Sequence, residues 1–136
     1  MGRRRGRRLI HFREVELFEA LKAEYPDLTP LSATDRADGV TGDAYIEMKC
    51  RRTHYPTLLI EKKKWDYLAD IRARTGARTL YINSTPKGVY CFDLGALNEP
   101  EWVLIALPYK TDFANSGKVY KLAAYLDIRL AELLLV

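Results

Sequence analysis

The strongest constraint on the fold is a segment spanning residues 37–51, whose pattern predicts a β-hairpin. A two-residue loop at Gly42 and Asp43 fixes the strand register and places Asp38 opposite Glu47. Directly opposed side chains have Cβ atoms roughly 4.5–5.5 Å apart, a spacing at which like charges are destabilising. Two carboxylates this close suit a divalent cation with oxygen ligands, so we predict a metal site at Asp38 and Glu47.

Alternation along the second strand adds a positive charge to this site. Glu47 and Lys49 share one face of the strand, and the residues between them share the other, predicted buried, face. A lysine beside a metal-bound water can orient or deprotonate the water and can stabilise charge on a phosphate. We predict catalysis by Asp38, Glu47 and Lys49, with Asp35 as the alternative first acid if the register slips. The other interpretation is a surface strand with an ordinary Glu-Lys ion pair.

A further acidic residue lies in the first predicted helix, which runs from about His11 to Tyr25. Its apolar residues recur at helical spacing, and Glu14 falls near the centre of their stripe. A carboxylate on the core-facing side is costly unless it is paired or binds a metal, so Glu14 is a candidate ligand. An acid in the first turn, favoured by the helix dipole, explains the position equally well.

The rest of the pattern predicts an α/β protein with a mixed sheet. Residues 57–75 are predicted to form a second helix, closed by Gly76 at the C′ position. Three segments have strand patterns, the first two joined by a Pro-Lys-Gly turn and the third buried: Arg78–Asn83, Val89–Asp93 and Trp102–Leu107. Residues 109–117 are predicted to form a surface loop, 118–126 fit a strand or a helix, and 127–135 favour a helix.

Basic residues are concentrated in two places. The net charge is +4, and the rest of the chain carries −1 once the five arginines of the first eight residues are set aside. These arginines are Arg3, Arg4, Arg5, Arg7 and Arg8. The second cluster follows the hairpin and comprises Arg51, Arg52, Lys62, Lys63 and Lys64. Such residues displace counterions from a phosphate backbone, so we expect both groups to bind nucleic acid. The alternatives are a solvated tail or targeting signal, and a solvated helix start.

Length and composition restrict the class of protein. The length fits a single domain over residues 10–136, preceded by a basic arm at residues 1–9. Two cysteines, Cys50 and Cys91, are too few for a disulfide scaffold and favour a cytoplasmic, reducing setting. No apolar run approaches the roughly 18–20 residues of a membrane span. The sequence contains no Walker-type phosphate-binding loop, so no nucleotide cofactor is predicted. His11 and His54 lack the spaced partners of a zinc site.

These residues resemble the PD-(D/E)xK nuclease superfamily over about residues 10–93. Asp38 matches the first acid of its motif, and residues 47–49 (Glu-Met-Lys) match the second acid and the lysine. Residues 14–21 resemble the first helix of archaeal Holliday-junction resolvases, whose early glutamate falls on Glu14. The hairpin is also similar to those of phage junction-resolving endonucleases and small virus-type nuclease modules. Ala37 stands where the signature has proline.

The resemblance implies a restriction-endonuclease-like core, with a central mixed β-sheet flanked by helices, and hydrolysis of DNA phosphodiesters with Mg²⁺ or Mn²⁺. It implies metal binding by Asp38, Glu47 and Glu14, with Lys49 acting on the attacking water. Some exonuclease-type relatives carry a Gln-x-x-x-Tyr pair, and a lysine replaces the glutamine at the matching spacing here, which weakens an exonuclease assignment.

By analogy with the junction-resolving and virus-type nucleases, the pattern is compatible with branched DNA as the substrate and with a viral origin of the protein. The analogy also implies a homodimer, in which Trp102–Leu107 and Leu133–Val136 form either the interface or core. Two other hypotheses remain open. One is a non-catalytic nucleic-acid-binding module on the same scaffold, and the other is an interaction protein whose arginine arm binds acidic partners.

Overall fold

The computed structural model describes residues 12–42, 44–108 and 117–135. The arginine arm, Asp43 and nearly all of the predicted loop at 109–117 lie outside the described residues. Within them the chain forms two α-helices, α1 (Glu14–Glu24) and α2 (Lys62–Thr75). The strands are β1 (Thr29–Pro30), β2 (Gly39–Thr41), β3 (Ala44–Cys50), β4 (Thr57–Glu61), β5 (Arg78–Thr85), β6 (Gly88–Asp93), β7 (Val103–Pro108), β8 (Lys118–Asp127) and β9 (Glu132–Leu135).

The strands form a large mixed sheet and a small antiparallel one. The large sheet has the order β1-β2-β3-β5-β6-β9, in which only the β3–β5 pair of the described strands is parallel. The small sheet has the order β4-β8-β7. The predicted α/β architecture with a central mixed sheet is confirmed. No helix of the described ranges is long and apolar enough to cross a membrane.

Each helix covers one face of the large sheet. On the first face, Leu17 and Leu21 of α1 pack against Ile46 and Met48 of β3. On the second face, Leu68 and other apolar residues of α2 join the apolar residues of β4 and β5. Successive residues of β3 point to opposite faces of the sheet, so its even-numbered residues face α1 and Glu47 lies on the α2 side.

The predicted hairpin register is confirmed between Gly39 and Ile46. These two residues pair, and the two pairs nearer the loop follow in the same register. Gly42 has a φ of 36°, in the left-handed region that favours glycine. Its N–H donates to Asp27 Oδ2 at 2.6 Å, and the Thr41 hydroxyl donates to the other oxygen of Asp27. An acid outside the hairpin thus holds its loop.

The second predicted helix begins later than its pattern indicates. Residues 57–61 form strand β4, which pairs with β8 and buries Leu58 and Ile60. Pairing with a distant strand overrides the local helical pattern here. The end of the helix is as predicted: Gly76 has a φ of 74°, and its N–H donates to the Arg72 carbonyl at 2.9 Å.

The predictions for the later strands have mixed outcomes. The two strands joined by the Pro-Lys-Gly turn are confirmed as β5 and β6. The segment at 118–126 is strand β8. The predicted helix at 127–135 is wrong, because Ile128–Leu130 forms one 3₁₀ turn and β9 then pairs with β6. The strand predicted at 102–107 exists, but its predicted burial is wrong: β7 is an edge strand, and Leu104 is 66% exposed.

Candidate active site

Glu47 is a buried carboxylate near the middle of β3. Its residue is only 7% exposed, and no other charged residue of the described ranges is as deeply buried. Burial and, to a smaller extent, the negative charge of Asp38 raise the pKa of Glu47 to about 7. The positive charges of Lys64 and Lys49 act in the opposite direction. A second acid and two ammonium groups therefore lie within electrostatic reach of Glu47.

Asp38 is held against the strand that carries Glu47. Its N–H donates to the Ile46 carbonyl at 2.9 Å, and its carboxylate accepts the N–H of Met48 at 2.7 Å. These partners are the two neighbours of Glu47 in β3, so Asp38 binds the strand on both sides of it. The strand pairing of the hairpin ends at Gly39, and Asp38 adopts this arrangement directly beyond it. The structure therefore places Asp38 beside Glu47, and the binding of a metal by the two acids stays a prediction.

Lys49 and Lys64 approach Glu47 from different elements. Lys49 follows Glu47 by two residues on the same face of β3 and is exposed. Lys64 lies in the first turn of α2, and its Nζ is 3.1 Å from Glu47 Oε2. Lys64 is thus the ion-pair partner of the buried acid, and its predicted phosphate contact stays a prediction.

Glu47, Lys49 and Lys64 line a cleft of about 350 Å³. We call it the acidic-pair cleft after Glu47 and its neighbour Asp38, although Asp38 itself does not line it. Its lining includes Glu47, Lys49, Lys63, Lys64, Glu61 and Lys121. Glu61, the last residue of β4, pairs with Lys121 of β8 at 3.3 Å. Neither residue could be predicted from the sequence, because they are 60 positions apart and meet only when β8 pairs with β4.

Arg51 also lines the acidic-pair cleft, but its guanidinium group binds the scaffold. It donates to Asn83 Oδ1 at 2.9 Å, to the Leu59 carbonyl at 2.6 Å and to the Tyr81 hydroxyl at 3.1 Å. These bonds join β3 to β5 and connect the large sheet to β4 of the small one. The predicted phosphate contact of Arg51 stays a prediction beside this structural role.

The other basic residues after the hairpin lie on the surface near the cleft. Lys62 pairs with Asp66 at 2.8 Å, and Lys63 lies over the ring of Tyr67 at 5.7 Å from its centroid. Arg52 is exposed in the connection between β3 and β4. Their predicted contacts with nucleic acid stay predictions, as do those of the arginine arm, which lies outside the described residues.

Glu14 is not on the core-facing side, so its predicted burial is wrong. It is the first residue of α1 and is exposed, which matches the alternative explanation from the helix dipole. Its charge and that of Asp38 both raise the pKa of the Cys50 thiol, after the larger effect of burial. Glu14 therefore lies within electrostatic reach of Cys50, as Asp38 does, and its metal-binding role stays a prediction.

The donors at Asp38 and Glu47 fit a hard divalent cation. Magnesium usually keeps several waters and binds through one or two carboxylates, and this pair supplies two. Across residues 12–42, 44–108 and 117–135, no group of three or more His, Cys, Asp or Glu could hold a metal ion. The pair also lacks the thiolate and imidazole ligands that zinc prefers.

The chain has an α/β fold in which a mixed sheet carries one helix on each face. Its architecture is similar to that of Hjc, a Holliday junction resolvase from the hyperthermophilic archaeon Archaeoglobus fulgidus, with a TM-score of 0.56. The match covers 87% of this chain and 89% of the Hjc chain at 16% sequence identity, so it shows the fold alone. No protein-family model and no curated protein matches the sequence.

Proposed function

We propose that the chain is a metal-dependent endonuclease of the PD-(D/E)xK type that hydrolyses DNA phosphodiester bonds. The observation that supports this most directly is the buried Glu47 beside Asp38, in a cleft with several lysines. An ionised carboxylate at this depth lowers the stability of the fold, and a second acid increases the cost. Such an arrangement is typical of functional sites, where a ligand supplies the missing compensation.

Asp38 and Glu47 would hold Mg²⁺ or Mn²⁺, and Glu14 would add a ligand directly or through water. When bound, the ion would supply an activated water and neutralise the charge that develops on the scissile phosphate. The hydrogen bond from Met48 N–H fixes the Asp38 carboxylate, so this ligand is oriented before a cation arrives. Lys64 neutralises Glu47 in the absence of the cation.

The lysines of the cleft would position the substrate and the attacking water. Lys49 is exposed beside the acids and is placed to orient the water and to stabilise negative charge on the phosphate. Lys63 and Lys121 lie further along the cleft, where they would bind the phosphates of the same strand. Phosphoryl transfer depends mainly on such positioning and charge stabilisation.

Branched or junction DNA is the proposed substrate class, because the fold is similar to that of a Holliday junction resolvase. Cutting two symmetric strands together requires a two-fold dimer, so we also propose a homodimer. Both segments considered for its interface expose leucines at sheet edges, Leu104 in β7 and Leu133 in β9. Cys50 and Cys91 are free, in keeping with an intracellular setting.

Cleavage of a panel of DNA structures tests the proposal. Four-way junction, flap, single strand and plain duplex are incubated with Mg²⁺ or Mn²⁺ and the wild type, Asp38→Asn or Lys49→Ala. The wild type should cut at least one substrate, and both variants should lose cleavage. Asp70→Asn is the matched control, since Asp70 pairs with Arg74 on α2 outside the cleft.

Equal cleavage by the wild type, Asp38→Asn and Lys49→Ala would reject the assignment of the site. If the wild type binds DNA without cutting it, and shows no carboxylate-dependent magnesium binding by calorimetry, the non-catalytic module is the correct hypothesis. The interaction-protein hypothesis would be favoured instead if the wild type binds an acidic protein and deletion of residues 1–8 abolishes that binding.

A further inference from the structure

A second, larger cleft adjoins the acidic-pair cleft. It has a volume of about 810 Å³, within the roughly 300–1,000 Å³ of ligand-binding pockets. Arg51 and Leu59 line both clefts, so the two lie next to each other. Its walls come from the connection between β3 and β4, from β4 itself, and from β7 and β8 of the small sheet. We call it the tyrosine cleft.

Two large aromatic side chains of this cleft, both tyrosines, are more than half exposed. Tyr55 is 59% exposed and Tyr125 is 56% exposed. Tyr125 pairs with Leu59 across the β8–β4 ladder, so its ring lies on the face of the small sheet that Leu59 shares. Tyr55 comes from the connection before β4 and lines the same cleft. Both rings therefore offer stacking surfaces inside one open groove.

The charge of the tyrosine cleft fits a phosphate backbone. Arg51 and Arg52 line it, and none of the described lining residues is acidic. This contrasts with the acidic-pair cleft, where Glu47 and Glu61 contribute negative charge. Arginine binds phosphate oxygens through its planar fork of donors, and Arg52 is exposed at the cleft.

We propose that the tyrosine cleft binds an unpaired nucleic-acid strand, with bases stacked on Tyr55 and Tyr125 and phosphates held by Arg52. Every base has a π-face, so such stacking tolerates any sequence, but bases inside a duplex are already stacked on their neighbours. This inference rests on the proposed nuclease function and narrows its substrate class. The preferred substrate carries a single-stranded segment, such as a flap or a frayed branch point, which leads from the tyrosine cleft to the acidic pair.

Binding without cleavage tests the proposal. A fluorescein-labelled thymidine oligonucleotide of about 15 nucleotides and a duplex of equal length are titrated with protein in EDTA, and anisotropy is recorded. Tyr55→Ala and Tyr125→Ala should each weaken single-strand binding roughly tenfold and change duplex binding little. Tyr55→Phe and Tyr125→Phe keep the ring and should restore binding. Tyr120→Ala is the matched control, since Tyr120 is 69% exposed on β8 but does not line the cleft.

Three results would overturn the inference. Unchanged single-strand binding by both alanine variants would remove the stacking role, and an equal loss for single strand and duplex would indicate a general electrostatic surface. A change in sedimentation coefficient with unchanged DNA binding would identify the cleft as a contact with a second copy of the chain. A wild type that binds single strands through the tyrosines but never cuts DNA would reject only the nuclease proposal.

Discussion

Replacing Glu47 with glutamine is expected to stabilise the metal-free protein above neutral pH, although it removes a proposed catalytic group. Burial raises the pKa of this carboxyl from its ordinary 4.5 to about 7. Between these pH values the folded protein keeps a proton that the unfolded chain has lost. The free energy of unfolding of the wild type therefore falls as the pH rises through this window.

The size of the effect follows from the same pKa. A difference of one pH unit in pKa corresponds to about 1.4 kcal/mol, so the Glu47 carboxyl lowers the stability of the folded protein by about 3 kcal/mol at pH 8 relative to pH 4. The charge of Lys64 already limits this loss, because it lowers the pKa of Glu47. Glutamine does not titrate, so Glu47→Gln should lack the entire pH-dependent contribution.

Urea denaturation in EDTA, followed by circular dichroism at pH 4 and pH 8, measures the effect. The pH-dependent loss of stability in the wild type should exceed that in Glu47→Gln by about 3 kcal/mol, and groups common to both proteins cancel in this difference. Glu19→Gln, which changes an exposed acid paired with Lys22, should behave as the wild type does. Parallel pH profiles for the wild type and Glu47→Gln would refute the argument from burial.

Three further predictions concern the residues around this site and the fold that carries it. Lys64→Met should increase the affinity of the protein for Mn²⁺ several-fold in calorimetry, because the ammonium group competes for Glu47; Lys62→Met, which disrupts the pair with Asp66, should leave it unchanged. Arg51→Met should lower the free energy of unfolding by about 2–3 kcal/mol in urea, because it leaves the Leu59 carbonyl and Asn83 oxygen without this donor. Gly76→Ala should cost about 1 kcal/mol in thermal unfolding, because alanine is strained at a φ of 74°.

Local sequence signals were sufficient to predict that Asp38 and Glu47 lie side by side. The Gly42 loop and the two-residue alternation of β3 set which residues face each other, and both are properties of a few consecutive residues. The register could therefore be predicted to Gly39, together with the position of Asp38 beside Glu47. The closure of α2 at Gly76 was predictable for the same reason, since its signal lies at the helix end itself.

The features that could not be predicted from the sequence depend on contacts between residues that are far apart in the chain. Residues 57–61 contain a run of apolar residues that fits the start of a helix, but pairing with β8 makes them a strand. β9 has helix-forming leucines and an alanine before it, yet its hydrogen bonds go to the edge of β6. The contact between Lys64 and Glu47 depends on how α2 lies across the sheet, which no local pattern of Lys62–Lys64 specifies.

Because β3 and β5 pair in parallel, the residues proposed to select the substrate come from a different part of the chain than the acidic pair. Parallel neighbours cannot be joined by a tight turn, so residues 51–77 must travel over one face of the sheet before β5 begins. That excursion carries Glu61 and Lys64, which line the acidic-pair cleft, and Tyr55, which lines the tyrosine cleft, and none of the three belongs to the hairpin. Under the proposed function, changes of length or charge in this connection would alter which nucleic acid the protein accepts while leaving the acidic pair of the hairpin in place.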